Sequence, residues 1–149
     1  MKNISEHISY KEGIFSATAL RYGIENTPND CELKAMLLLA EKIFEPLRNH
    51  FGIPIKINSF FRCLALNKRV GGSSSSQHVK GEAIDIDDRL GGVTNKQMFD
   101  WIVANLDYDQ IINEFNYSWV HVSYASPEKN RRIKLRAVKR NGKTSYEKM

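Results

Sequence analysis

The sequence predicts an α+β fold, with helices packed on one side of a small antiparallel sheet. Three observations predict it. Apolar residues recur at helical spacing through Asn29–Gly52, a second helical pattern runs through "TNKQMFDWIVANL", and the strand-like runs come last, separated by short turn signals. A chain of 149 residues, 42% hydrophobic and 26% charged, is long enough for one domain over 1–149 with a single core.

The elements follow in order. "SATALRYGIENTP" reads as a short helix with Ser16 at its N-cap and Pro28 closing the loop behind it. In the main helix, Asn29 and Glu32 stand at capping-box spacing and Gly52 suits the C-terminal end. Its stripe of Leu33, Met36, Leu37, Ala40, Ile43, Phe44 and Leu47 is core material. "IPIKINSFFR" switches to β-branched alternation, and "LALNKRVGG" is a short helix ended by two glycines. "AIDID" is a brief strand with Ile84 and Ile86 on one face and Ala83, Asp85 and Asp87 on the other. Thr94 and Gln97 cap the second long helix. "YDQIINEF" and "WVHVSYA" form a hairpin through a two-residue turn at Asn116-Tyr117, and "RRIKLRAV" is a third strand in a basic strand and tail at about 128–149.

The bulk numbers exclude several classes. No apolar run of ~18 residues exists, so no membrane segment is expected. The N-terminus lacks the apolar stretch of a secretory signal, so export by that route is not expected. The expectation is a chain cytoplasmic when synthesised, its final location and its bacterial or phage origin left open, with release to the cell wall by other means as one route. Two cysteines, Cys31 and Cys63, are too few for a disulfide framework. The net charge of +5 is concentrated in "EKNRRIKLRAVKRNGK". That run first reads as a charged edge strand kept from mispairing, and second as a surface for an anionic polymer such as cell wall. Nucleic acid is not expected, because no aromatic stacking platform accompanies the basic run.

Chemistry concentrates between Ser73 and Ser123. In "SWVHVSY" a strand puts Trp119, His121 and Ser123 on one face and Val120 and Val122 on the core side. With Glu114 opposite Trp119, the carboxylate lies diagonal to His121, within reach of a shared site. His78, Asp85, His121 and Glu114 then supply two imidazoles, one carboxylate donor and one free carboxylate. Zinc suits three such donors with a fourth position open, and the free carboxylate can take a proton from the attacking water. Arg62, at the end of "INSFFR", can stabilise an oxyanion. Taken singly, a strand histidine is more often structural, and an aspartate near a glycine turn is more often a turn former.

"SQHVKGEAIDI" resembles the Ser-x-His-x6-Asp signature of the zinc D-Ala-D-Ala carboxypeptidase family. The wider group includes vancomycin-resistance D,D-dipeptidases, phage L-alanyl-D-glutamate endolysins and the hedgehog amino-terminal domain. "WVHVSY" is similar to that family's second zinc-histidine strand and "INSFFR" to its arginine segment, and the resemblance spans roughly residues 9 to 125. It implies a hedgehog/D,D-peptidase-like α+β domain that binds zinc through His78, Asp85 and His121. It also implies a scissile-carbonyl or carboxylate contact for Arg62, and for Ser76 a place either on the substrate side or supporting a zinc ligand. Trp119 and Ser123, on the His121 face of their strand, are expected to bind substrate with it. Gly81 would let the chain turn so that His78 and Asp85 converge.

Two departures from the family pattern stand out. Many members carry the catalytic carboxylate three residues before the second zinc histidine, where this chain has Ser118; Glu114 is the expected base, with Asp87 and Glu82 behind it. Phe60 replaces a usual glycine and is expected to narrow one wall of the cleft. The expected function is zinc-dependent hydrolysis of peptide bonds in peptidoglycan stem peptides, D-alanyl-D-alanine carboxypeptidase-like or a related endopeptidase, by a monomer. The alternative is a zinc-containing domain that binds cell wall or protein without hydrolysis. A cysteine hydrolase built on Cys63 is weaker, since nothing marks it as a low-pKa thiol.

Overall fold

A computed structural model describes residues 1–149. A small two-stranded sheet opens the chain, β1 (Asn3–Ser5) against β2 (Ile8–Ser9), followed by α1 (Tyr10–Ile14) and α2 (Ala17–Tyr22). The capping expectations hold where they can be checked. Ser16 accepts from the Ala19 amide, Asn29 and Glu32 form a reciprocal box, and Thr94 and Gln97 form another.

The main helix is continuous in direction but not in type. α3 (Asp30–Leu39) passes through a π-helical turn at Ala40–Phe44 into α4 (Glu45–Phe51), ended by Gly52 in the left-handed conformation. Pro46 is the physical reason: it has no N–H to give the turn before it, and the wider turn absorbs the mismatch. The short α5 (Leu64–Arg69) and α6 (Asn95–Asn105) complete the helices. No helix is long and apolar enough to cross a membrane.

The main sheet has six strands: β3 (Lys56–Ser59), β4 (Ala83–Asp87), β5 (Gln110–Glu114), β6 (Trp119–Ser123), β7 (Ile133–Arg140) and β8 (Lys143–Lys148), in the spatial order β3-β4-β6-β5-β7-β8. The α+β class stands, with one pairing that departs from antiparallel: β5 and β7 run parallel. β6 ends where β5 begins, Val122 opposite Ile111. The loop after β6 rounds that end of the sheet and enters beside Gln110, so β7 can only run in the direction of β5. β8 is an element beyond the expected three C-terminal strands. It follows a two-residue turn at Asn141-Gly142, both at positive φ, a strong hairpin signal in sequence.

Strand alternation divides the sheet into two faces. Ile84, Ile86, Ile111, Val120 and Val122 join Met36, Leu39, Ile43, Phe44, Leu47, Met98 and Ile102 in one buried cluster. The helices therefore cover that face. Asp85, His121 and Glu114 alternate to the other, which no long helix covers.

Candidate active site

Each functional side chain is placed by a local device. His78 lies in a 3-10 turn (Gln77–Lys80) capped by Ser76, whose hydroxyl accepts from the His78 amide at 3.3 Å. Gly81 ends that turn at φ +74; a Cβ there would meet the Glu32 carbonyl at 2.4 Å, so only glycine fits between turn and α3. The chain then enters β4, where Asp85 pairs with His121 of β6. A residue from a turn is thereby delivered against two from adjacent strands.

The resulting cluster is tight. Donor atoms of His78, Asp85 and His121 all lie within 4.8 Å of one another, and the two imidazoles meet edge to face with centroids 5.1 Å apart. His121 Nδ1 is 2.9 Å from Asp85 Oδ1, and His78 Nε2 is 3.2 Å from Asp85 Oδ2. His78 is 2% exposed and donates from Nδ1 to the Phe60 carbonyl at 2.6 Å. Its proton is thereby assigned to Nδ1, which leaves Nε2 as a bare lone pair. Nε2 is buried without a hydrogen-bond partner and faces a carboxylate oxygen, an arrangement that calls for a cation between them. The donor set, two imidazoles and one carboxylate, fits zinc.

Electrostatics agree with that reading. Burial would raise the Asp85 carboxyl, but its close contacts with the His78 and His121 imidazoles hold it well below the usual carboxylate range. Burial holds His78 down, towards the neutral form a metal needs. Glu114 sits opposite Trp119 across β5 and β6, on the face of His121, in the expected register. Desolvation pushes its carboxyl up to about 7, with Asp85 adding to the rise and His121 and Arg62 opposing it.

The Glu114–Trp119 pairing is closed differently from expectation. Four residues intervene, and Phe115, Asn116 and Tyr117 are all left-handed, at φ 51, 57 and 60. Such a run needs support. The Tyr117 amide donates to Asn113, the Ser118 hydroxyl to the Phe115 carbonyl, and Asn95 Nδ2 to the carbonyls of Tyr117 and Ser118. Asn95 also donates to Asp87, as do Asn58, Arg89 and the Asp88 amide. Asp87 is thus fully engaged in holding the turn, which removes it as a free base.

Arg62 is gripped by three acceptors: Ser59 Oγ at 3.0 Å, Asn67 Oδ1 at 3.2 Å and Asp85 Oδ2 at 3.4 Å. Gly72 packs on Asn67 so closely that a Cβ would lie 2.1 Å from its Oδ1. This close approach explains one glycine of the pair before the serine run. Trp119 is half-buried with its ring tilted against Phe115.

Two expectations need correction. Ser123 is fully buried, and its hydroxyl binds both the amide and the carbonyl of Gln110, so it joins strands and does not line a cleft. Phe60 is 1% exposed in the core; only its carbonyl faces the site, so it narrows no wall.

Several supporting residues were not anticipated. Asn26 pins the segment before α5 by donating to the Ile14 and Phe61 carbonyls and accepting from the Cys63 amide. Asn67 and Asn95 act as described above. Their partners are distant in sequence, and an asparagine in isolation signals only a turn or cap. A second cluster, Glu6, His7 and Glu45, is satisfied internally: Ser5 and the His7 amide donate to Glu45, and His7 Nδ1 lies 2.6 Å from Glu45 Oε1.

A mixed sheet presents a compact His–Asp–His cluster that could hold a metal ion, beside a desolvated carboxylate, and the class of the protein, a metallopeptidase, follows from the family comparison. The Peptidase M15 family model matches residues 6–123, and the chain belongs to that family, whose members are metal-dependent and usually use zinc. No curated protein matches the chain.

Proposed function

We propose that the chain hydrolyses peptide bonds in peptidoglycan stem peptides, as a D-alanyl-D-alanine carboxypeptidase or a related endopeptidase. The observation that carries the catalytic reading is the buried, unpartnered Nε2 of His78 facing Asp85 at 3.2 Å, on the same sheet face as Glu114. His78, Asp85 and His121 would hold zinc. Bound there, the ion supplies a Lewis acid and lowers the pKa of water towards ~7.

The protein's own groups do the rest. Glu114, on the sheet face of His121, would serve both halves of the proton transfer, taking a proton from water and giving it to the leaving amine. Arg62, held by Ser59 and Asn67, brings a fixed positive charge to the oxygen that becomes negative. Trp119, opposite Glu114, and Ser76, which caps the turn bearing His78, would contact the substrate, and the +5 net charge favours an anionic wall.

The test is zinc content of the purified protein, with muropeptide digestion followed by mass spectrometry. One zinc per chain and a defined stem-peptide cut support the proposal, and the fragment masses name the bond. One observation favours a second reading, a zinc-containing domain that binds without hydrolysis: Ser118 stands three residues before His121, and its hydroxyl closes a turn. Under that reading Glu114→Gln leaves function intact.

A further inference from the structure

The family match ends at residue 123, but the sheet continues. β7 pairs with β5 along Gln110–Glu114, and β8 pairs with β7 along its length. The base of this hairpin is tied to the site. Arg131 forks onto the buried Asp109 at 3.0 and 2.8 Å, and Gln77, next to His78, donates to the same carboxylate at 3.1 Å.

Register carries the hairpin onto the site face. Trp119, Glu114, Ala137 and Tyr146 form one row across β6, β5, β7 and β8. Ala137 is buried and small, so nothing bulky stands between Glu114 and Tyr146 in that row. The same alternation puts Lys139 and Lys148 on this face, while Arg136 and Arg140 point to the other and pair with Glu147. Lys139 and Lys148 have no such ion pair. Tyr146 is 55% exposed, so its phenol is open to a bound peptide.

We propose that Tyr146, flanked by Lys139 and Lys148, is a substrate-recognition site for a carboxylate-bearing residue of the peptide, set back from the bond that is cut. Two strand spacings, about 10 Å, separate the Tyr146 and Glu114 backbones. An extended peptide covers that in roughly three residues at ~3.4 Å each. The two ammonium groups are donors only and carry positive charge, and the phenol hydroxyl can add a donated hydrogen bond, a combination that favours an anion. This inference rests on the peptidase reading above, and it favours substrates longer than a dipeptide.

The probes are L-Ala-γ-D-Glu-L-Lys-D-Ala-D-Ala, with its free glutamate carboxylate, and acetyl-L-Lys-D-Ala-D-Ala, which lacks it. Calorimetry uses zinc-loaded Glu114→Gln protein with and without Tyr146→Ala and Lys148→Ala; the same peptides are digested with otherwise wild-type protein. The longer peptide should bind about tenfold tighter, an advantage lost in both variants while affinity for the shorter one is unchanged. Equal binding of both peptides by parent and variants, or no binding of either, overturns the site. Tyr146-dependent binding without cleavage by any form keeps the site and overturns the hydrolytic reading. Cleavage of both peptides regardless of Tyr146 does the reverse.

Discussion

His78 Nδ1 and the Phe60 carbonyl oxygen are 2.6 Å apart, and this one hydrogen bond decides which imidazole nitrogen faces Asp85. The backbone of the "SFFR" segment thus sets the tautomer of a side chain 18 residues further on. A histidine so fixed arrives at the metal with its lone pair already aimed. Alanine at His78, Asp85 or His121 should each lower zinc from one per chain to near none after dialysis. The affinity loss should exceed the ~10–100-fold typical of groups that only orient a donor. Elemental analysis of the dialysed variants checks this.

Glu114→Gln should separate binding from chemistry. Zinc content should stay at one per chain while kcat falls by about 10²–10⁴-fold, the usual contribution of a positioned acid–base group. Single-turnover digestion of a muropeptide measures it.

The same substitution gives a pH signature in metal-free protein. Glu114's folded value of about 7 lies above its ordinary 4.5, so the native state holds the proton more tightly than the unfolded chain. Its contribution to stability is complete below about 4.5 and is lost as pH rises through about 7. Wild type should therefore fall behind Glu114→Gln as pH rises over that range. Thermal melts in chelator across that range test the sign, and added zinc should shrink the gap by favouring the carboxylate.

Asn95→Ala should weaken the left-handed turn after β5. Losing its bonds to Asp87, Tyr117 and Ser118 should cost about 1–3 kcal/mol in urea denaturation. Zinc content should be preserved while kcat drops, because the turn carries Glu114 and not the His78 side of the cluster.

Gly81→Ala should affect the opposite side. The positive φ and the 2.4 Å approach to the Glu32 carbonyl make any side chain strained there, at about 1–3 kcal/mol or more. The 3-10 turn bearing His78 must shift to relieve it, so zinc affinity should fall together with stability. Chelator competition reads the affinity directly.

The legible parts of this protein were those governed by short-range rules. Capping boxes at Asn29 and Thr94, the stripe from Met36 to Leu47 and the two-faced "AIDID" strand follow from local periodicity, and all are found. So does the Glu114–Trp119 pairing, though by a four-residue turn in place of two. The parallel β5–β7 pairing was hidden because it depends on which way a loop rounds the sheet, not on the residues of the strand. Phe60 misled because a side chain was assigned to the cleft when only its carbonyl faces it. Asn26, Asn67 and Asn95 were invisible because each earns its role from partners brought close only by folding. The Asn141-Gly142 turn was readable and marks β8 plainly.

The C-terminal hairpin also has a bearing on solubility. A chain stopped after β6 would leave β5 as a bare edge, its amides and carbonyls open beside the apolar side chains of Ile111 and Ile112. β7 and β8 move the boundary outward to a strand bearing Lys143, Glu147 and Lys148, whose charged, hydrated side chains discourage another molecule from adding on. Removing residues 124–149 should therefore produce aggregates held by intermolecular strand addition before it produces any loss of helix.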